Sequence, residues 1–143
     1  MAVTYSAYDH TLKLLLNKEV TYTTIKVKLL DATATFSASQ TTVASVDGSG
    51  AKEVSGNGWA PGGPTLANVT ITQVTTNDCM LDADDVSQTA SGGSIGPASA
   101  SLVYDSTSNK PLLYVDFGAV QSAGATTDFK IVWDATGLLK ISI

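Results

Sequence analysis

Arginine is missing from this sequence, and histidine and cysteine occur once each, as His10 and Cys79. All eight basic residues are lysines, and thirteen acidic residues bring the net charge to −5. Nucleic-acid binding depends on a basic surface, and its best base and phosphate contacts usually come from arginine. The composition therefore argues against a nucleic-acid partner. The same negative balance argues against binding to an anionic membrane.

The single cysteine excludes an intramolecular disulfide, so assembly in a cytoplasmic environment fits best. No apolar run approaches the ~20 residues that a membrane-spanning helix needs. The first ten residues lack the basic and apolar regions of a signal peptide.

Charged residues are also scarce, at 15% of the chain against about 25% in a typical soluble protein. Serine and threonine replace them, which predicts a neutral, hydroxyl-rich surface.

What the sequence does contain is a β-strand pattern. The length predicts one domain over residues 1–143, large enough to bury a core without a metal or disulfide. From about residue 20 to residue 143, apolar and polar residues alternate with period two in short runs separated by Gly, Pro, Asn and Asp clusters. This pattern predicts a mainly β fold, an antiparallel β-sandwich of jelly-roll type. The turn sequence DATG at 134–137 predicts a hairpin between the last two strands.

The N-terminal segment has a different period. Tyr8, Leu12, Leu15 and Leu16 fall on one face of a 3.6-residue repeat, which predicts one short helix over about residues 5–17. We expect it to be the only helix, because the Ser/Thr/Ala-rich stretches at 32–46 and 87–101 are typical of long loops.

A glycine-rich stretch, SGNGWAPGGP at 55–64, invites comparison with a phosphate-binding loop. Phosphate loops lead into a helix, whereas this one leads into the alternating run TLANVTIT. We therefore predict a structural turn, made by Gly56, Gly58, Gly62 and Gly63 and anchored by Trp59. A sugar-stacking role for Trp59 is the alternative.

The titratable residues form no recognisable catalytic set. NDCMLDADDV at 77–86 clusters four aspartates, which suggests calcium, but their spacing does not match the known calcium loop and no bidentate glutamate follows. His10 has no nucleophile signature near it, and Cys79 beside Met80 is typical of a small buried residue. The prediction is a protein that is not an enzyme and has no metal or cofactor. A hydrolase using the Asp82–Asp85 cluster stays open.

Several motifs together resemble a known family. In order, they are the tyrosine-bearing N-terminal segment, IKVKLL, EVSGNGWAPGGPTLAN, LDADDV, LVYDSTSNKPLLYVDFG and DFKIVWDATGLLKIS. They resemble small structural proteins of tailed bacteriophages, regarded as capsid decoration or cement proteins, over nearly the whole chain from about Tyr5 to Ser142. The chain departs from the family pattern at Trp59 and Pro64, and at Ser87 and Gln88 after LDADDV.

The resemblance implies a protein of the virion, assembled in the host cytoplasm and placed on the outer capsid surface. Its partners would be the major capsid protein and further copies of itself, as a homodimer or homotrimer. For the interface we single out three aromatic residues, Tyr5, Tyr8 and Trp59, because aromatics are favoured at interface centres. Two alternatives remain open at this point: a tail or head–tail connector protein, and a carbohydrate-binding module of a virion.

Overall fold

The computed structural model describes residues 3–142. Within them lie ten β-strands and two short α-helices, in the order β1 Thr4–Ala7, α1 Thr11–Leu16, β2 Ile25–Leu30, α2 Val43–Asp47, β3 Glu53–Val54, β4 Thr70–Thr75, β5 Asp78–Asp82, β6 Val86–Thr89, β7 Ile95–Asp105, β8 Lys110–Ala123, β9 Asp128–Ile131 and β10 Leu139–Ser142. Residues 1, 2 and 143, which the predicted domain and its last strand include, lie outside the described residues.

The strands form three antiparallel sheets, which confirms the predicted mainly β, antiparallel fold. The largest has five strands in the order β1-β8-β7-β2-β3. A three-stranded sheet has the order β10-β5-β4, and a two-stranded sheet joins β6 to β9. The jelly-roll topology stays a prediction.

Both faces of the five-stranded sheet are buried over β2, the second half of β7 and the first half of β8. Residues alternate between the two faces along each strand, so each face contributes to its own core. On the first face, Ile25, Val27 and Leu29 of β2 join Leu113 and Val115 of β8 in the main core. The second face carries a smaller core, built on Leu30, Ala100, Leu102, Tyr104 and Tyr114 and covered by Tyr8, Ala34, Val43 and Val46. The segment around α2 is therefore a cover for the second face.

The predicted helix over residues 5–17 is wrong in its first half. Residues Thr4–Ala7 form β1, an edge strand that pairs with β8 in the register Tyr5↔Val115. The helix is six residues long and buries Thr11, Leu14 and Leu15. Leu12 and Leu16, assigned to its inner face, are exposed. Pairing with β8 outweighs the weak helical preference of a short segment.

The second helix, α2, differs from the prediction of a long loop over residues 32–46, which rests on the serine- and threonine-rich sequence of that stretch. Thr42 caps it: its side chain accepts a hydrogen bond from the Ser45 backbone, and the Ser45 side chain accepts one from the Thr42 backbone. Gly48 ends the helix with φ of 62°. The capping box and the terminal glycine are the sequence signals that locate this helix.

The predicted hairpin between the last two strands is also wrong. Residues 134–137 do form a turn, in which the Gly137 backbone donates to the Asp134 carbonyl at 2.8 Å. The strands on either side of it separate, because β9 pairs with β6 and β10 pairs with β5. A turn sequence fixes a change of direction, and the pairing partners are chosen by the rest of the fold.

A buried carboxylate joins the β7–β8 hairpin to the segment before β2. Asp105, 1% exposed, accepts hydrogen bonds from the Thr21 and Thr107 backbones and from the hydroxyls of Thr24 and Ser108. Burial raises the pKa of Asp105, but these hydrogen bonds outweigh it and leave the pKa below its ordinary value. The folded state therefore favours the charged carboxylate.

We expect Asp105→Ala to lower the free energy of unfolding by about 3 kcal/mol, because several hydrogen bonds to a charged group are lost. The contribution of Asp105 is complete above the ordinary pKa of 3.8 and is lost as the pH falls through the lower folded-state pKa. Urea unfolding between neutral pH and about pH 3 measures both effects. Asp116→Ala is the control, since Asp116 is exposed and accepts a backbone hydrogen bond from Gly118. Equal losses for the two variants would contradict this assignment.

Candidate interaction surface

The glycine-rich stretch is a structural corner, built from two consecutive tight turns. Gly56 and Trp59 exchange backbone hydrogen bonds at 2.7 and 3.1 Å, and the Gly63 backbone donates to the Ala60 carbonyl at 2.9 Å. All four predicted turn glycines have positive φ, at Gly56, Gly58, Gly62 and Gly63. The Tyr104 hydroxyl donates to the Gly62 carbonyl at 2.7 Å and attaches the corner to the second face of the sheet.

At two of these positions, the neighbouring backbone leaves no room for a side chain. A Cβ on Gly63 would lie 1.7 Å from the Val27 carbonyl oxygen, and one on Gly58 would lie 2.3 Å from the Thr89 carbonyl oxygen. Strand β3 pairs only with Leu29 and Leu30 of β2, and the close approach lets residues 64–66 pair with the rest of that edge. The Val27 backbone donates to the Pro64 carbonyl at 3.1 Å, and the Leu66 backbone donates to the Ile25 carbonyl at 2.8 Å. The corner thus positions a backbone against a strand.

The structure contradicts the interface role proposed for Trp59. Its side chain is 0% exposed and lies in the main core, edge-on to the Phe129 ring with the centroids 5.6 Å apart. A ring without exposed surface cannot stack on a sugar, so the burial removes the main support for a carbohydrate-binding module as well. The turns of the glycine corner place Trp59 inward.

Tyr8 is likewise no interface residue, since it is 2% exposed and packs against Phe36 with the ring centroids 5.1 Å apart. Tyr5 has a different position. It is half-buried on β1, and its hydroxyl accepts a hydrogen bond from the Asp134 backbone at 3.1 Å. Burial raises the pKa of the Tyr5 hydroxyl above its ordinary value. Its contact with a partner stays a prediction.

The aspartates after β4 serve separate contacts. Asp78 binds Lys140 at 2.9 Å, across the β5–β10 pair. The Asp84 carbonyl accepts from the Trp133 indole nitrogen, and the Asp85 carboxylate accepts from the Trp133 backbone, both at 2.9 Å. Over residues 3–142, no group of three or more His, Cys, Asp or Glu side chains is arranged to hold a metal ion.

A groove of about 390 Å³ lies beside Tyr5. Val115 and Phe117 of β8 are part of its lining, Val3 and Tyr5 lie on the β1 side, and residues 128–132 lie on the β9 side. We call this feature the β1/β9 groove. It separates the edge strand of the five-stranded sheet from the two-stranded sheet, so the two strands beside it do not pair with each other.

Apolar residues are exposed at the β1/β9 groove. Val132 is 67% exposed and Val3 is 51% exposed, and both line it. An exposed apolar surface beside a strand with unpaired backbone groups is a common docking site for an extended segment. The sequence carries one signal for it: Val132 falls on the outward phase of the run DFKIVWD, where Asp128 and Lys130 are polar.

Comparison of the chain with protein-family models, with curated proteins and with solved structures finds no match in any of the three. None of the helices within residues 3–142 is long and apolar enough to span a membrane.

We expect Gly63→Ala to destabilise the fold by about 3 kcal/mol or more, because the new Cβ overlaps the Val27 carbonyl and the backbone has positive φ. Gly50→Ala is the matched control. It has φ of +89° with nothing within 4 Å of the added atom, so backbone strain alone costs about 1 kcal/mol. Thermal or urea unfolding measures the difference. Equal destabilisation would show that the close approach to β2 is unimportant.

Proposed function

We propose that this chain is a bacteriophage capsid decoration protein, which binds the outer surface of the assembled shell between major capsid proteins and stabilises it. The motif order that resembles small virion proteins supports this proposal. The β1/β9 groove is the structural observation that carries it, because it offers an exposed apolar contact surface beside an edge strand. Strand β2 and the first half of β8, by contrast, are covered on both faces.

The protein would act by adding contact area to the shell. An extended apolar segment of a major capsid protein would lie in the β1/β9 groove, contact Val3 and Val132, and form backbone hydrogen bonds with an edge strand. A ligand that binds the assembled shell and not its separated subunits stabilises assembly by mass action. A dimer or trimer at a local symmetry axis would engage several subunits at once and gain affinity through avidity.

A change in the groove should weaken shell binding. We expect Val132→Asp to lower the affinity for capsids that lack the protein by about tenfold or more, because a charge must be desolvated at the contact. Val74→Asp is the matched control, since Val74 is 48% exposed on β4, outside the groove. Co-sedimentation with purified capsids over a concentration series measures both affinities.

Each result separates the alternatives. Loss of binding in Val132→Asp alone supports the groove, and equal binding by both variants would move the contact elsewhere on the protein. If the folded wild-type chain does not bind capsids at any concentration, the decoration role is wrong. A tail or head–tail connector would then be the next candidate, to be tested with purified tails and necks.

A further inference from the structure

A lysine is buried against two carboxylates on the second face of the five-stranded sheet. The Lys28 Nζ lies 2.7 Å from Asp47 Oδ2 and 3.2 Å from Glu53 Oε2. The three side chains are 8%, 4% and 13% exposed, in that order. Lys28 lies on β2, Asp47 is the last residue of α2 and Glu53 begins β3, so three separate elements meet at one nitrogen.

The cluster lies between the smaller core on one side and a cleft lined by Thr42, Ser49 and Asn109 on the other. The Tyr104 ring lies with its centroid 5.1 Å from Nζ, and the smaller core adjoins it. A buried ion pair of this kind rarely stabilises a fold more than apolar residues of the same size, because desolvation opposes the attraction. Simple stabilisation is therefore a weak reason for an amine and two carboxylates at this place.

The carboxylates are held in fixed and different orientations. Asp47 Oδ1 accepts a hydrogen bond from the Gly50 backbone at 3.1 Å, which leaves Oδ2 directed at the amine. Glu53 Oε1 accepts one from the Gly62 backbone, which leaves Oε2 directed at the same nitrogen. An amine, a carboxyl carbon with a backbone donor on one oxygen, and a second carboxylate are the groups that amide formation requires.

We propose that Lys28 and Asp47 react with each other to form an intramolecular isopeptide bond, with Glu53 transferring the protons. A bond forms between Lys28 Nζ and Asp47 Cγ, and the bond from Cγ to Oδ2 breaks. The ammonium loses two protons, which leave with Oδ2 as one water molecule, and Glu53 ends as a carboxylate. No oxidant, reductant or further reactant takes part.

The resting state before the reaction is the ion pair. Burial lowers the pKa of Lys28, but the hydrogen bond to Asp47 and the charge of Glu53 outweigh it and leave the pKa above its ordinary value. Attack therefore requires a proton to move from Nζ to a carboxylate first, and Glu53 Oε2 lies within reach. The Gly50 backbone would stabilise the negative charge that develops on Oδ1. Fixed proximity in place of a bimolecular encounter supplies much of the rate.

The bond would connect the α2 segment, which covers the second face, covalently to the five-stranded sheet. It would join β2 to the end of α2 and close a covalent loop over residues 28–47, which restricts the unfolded chain. A protein that reinforces a container under internal pressure would benefit, although the chemistry rests on the cluster alone and is independent of the proposed function.

Mass spectrometry of the purified full-length chain tests this inference. We expect the denatured wild-type protein to be lighter than its sequence mass by one water molecule. Trypsin does not cut after an acylated lysine, so the linked protein gives an uncut 27–52 peptide that lacks one water. A further cut after Phe36 must leave its two halves joined. That last step distinguishes the isopeptide bond from ring closure of the Asp47 side chain onto the Gly48 backbone nitrogen. Ring closure also loses one water, but it leaves the two peptides on either side of the cut unconnected.

Three variants complete the experiment. Lys28→Met should show the full sequence mass, and so should Glu53→Gln, which keeps the shape of the side chain but cannot take up the protons. Lys140→Met should keep the loss of water, because the Lys140–Asp78 ion pair is 38% exposed at the lysine. A wild-type chain at full mass after folding and prolonged incubation would overturn the proposal and leave a buried ion pair. A linked Glu53→Gln variant would overturn the role of Glu53.

Discussion

Burial of both faces of one five-stranded sheet is the constraint on which this structure depends. A sheet that is apolar on both faces needs two covers. The first is the main core, in which Trp59 of the glycine corner is fully buried, and the second is the segment that contains α2. Strand β2 connects them, because its alternate residues enter the two cores and because residues 64–66 pair with the part of its edge that β3 leaves uncovered. This edge pairing requires glycine at position 63.

The sequence predicts the parts of this arrangement that depend on local chemistry. Period-two alternation identifies strands such as Ile25–Leu30. The glycine corner is predictable because glycine tolerates positive φ and because a strand pattern, not a helix, follows the stretch. The alternation does not show that the outward phase of β2 is also buried, so Lys28 reads as a surface residue. Its environment is created by α2, whose capping box is visible in the sequence but whose position on the sheet is a tertiary property. The same limit explains β1, which becomes a strand because β8 offers an edge.

The candidate surface was the least predictable feature. Aromatic residues are the natural candidates for an interface, yet Trp59 is buried in the main core and Tyr8 in the smaller core. The strongly exposed apolar residues at the β1/β9 groove are valines, which differ in the sequence from core valines only by their phase. The β1/β9 groove lies beside the main core on the first face of the sheet, whereas the Lys28 cluster lies beside the smaller core on the second face. The surface proposed to meet the shell and the proposed covalent link can therefore be altered independently.

The proposed function is stabilisation of a shell through added contact area. The most direct measurement is the temperature at which capsids that lack the protein break open, with and without saturating amounts of the purified chain. We expect a higher rupture temperature that rises with occupancy and levels off when binding saturates. Saturable binding with an unchanged rupture temperature would contradict it, and would assign the protein to a different part of virion assembly.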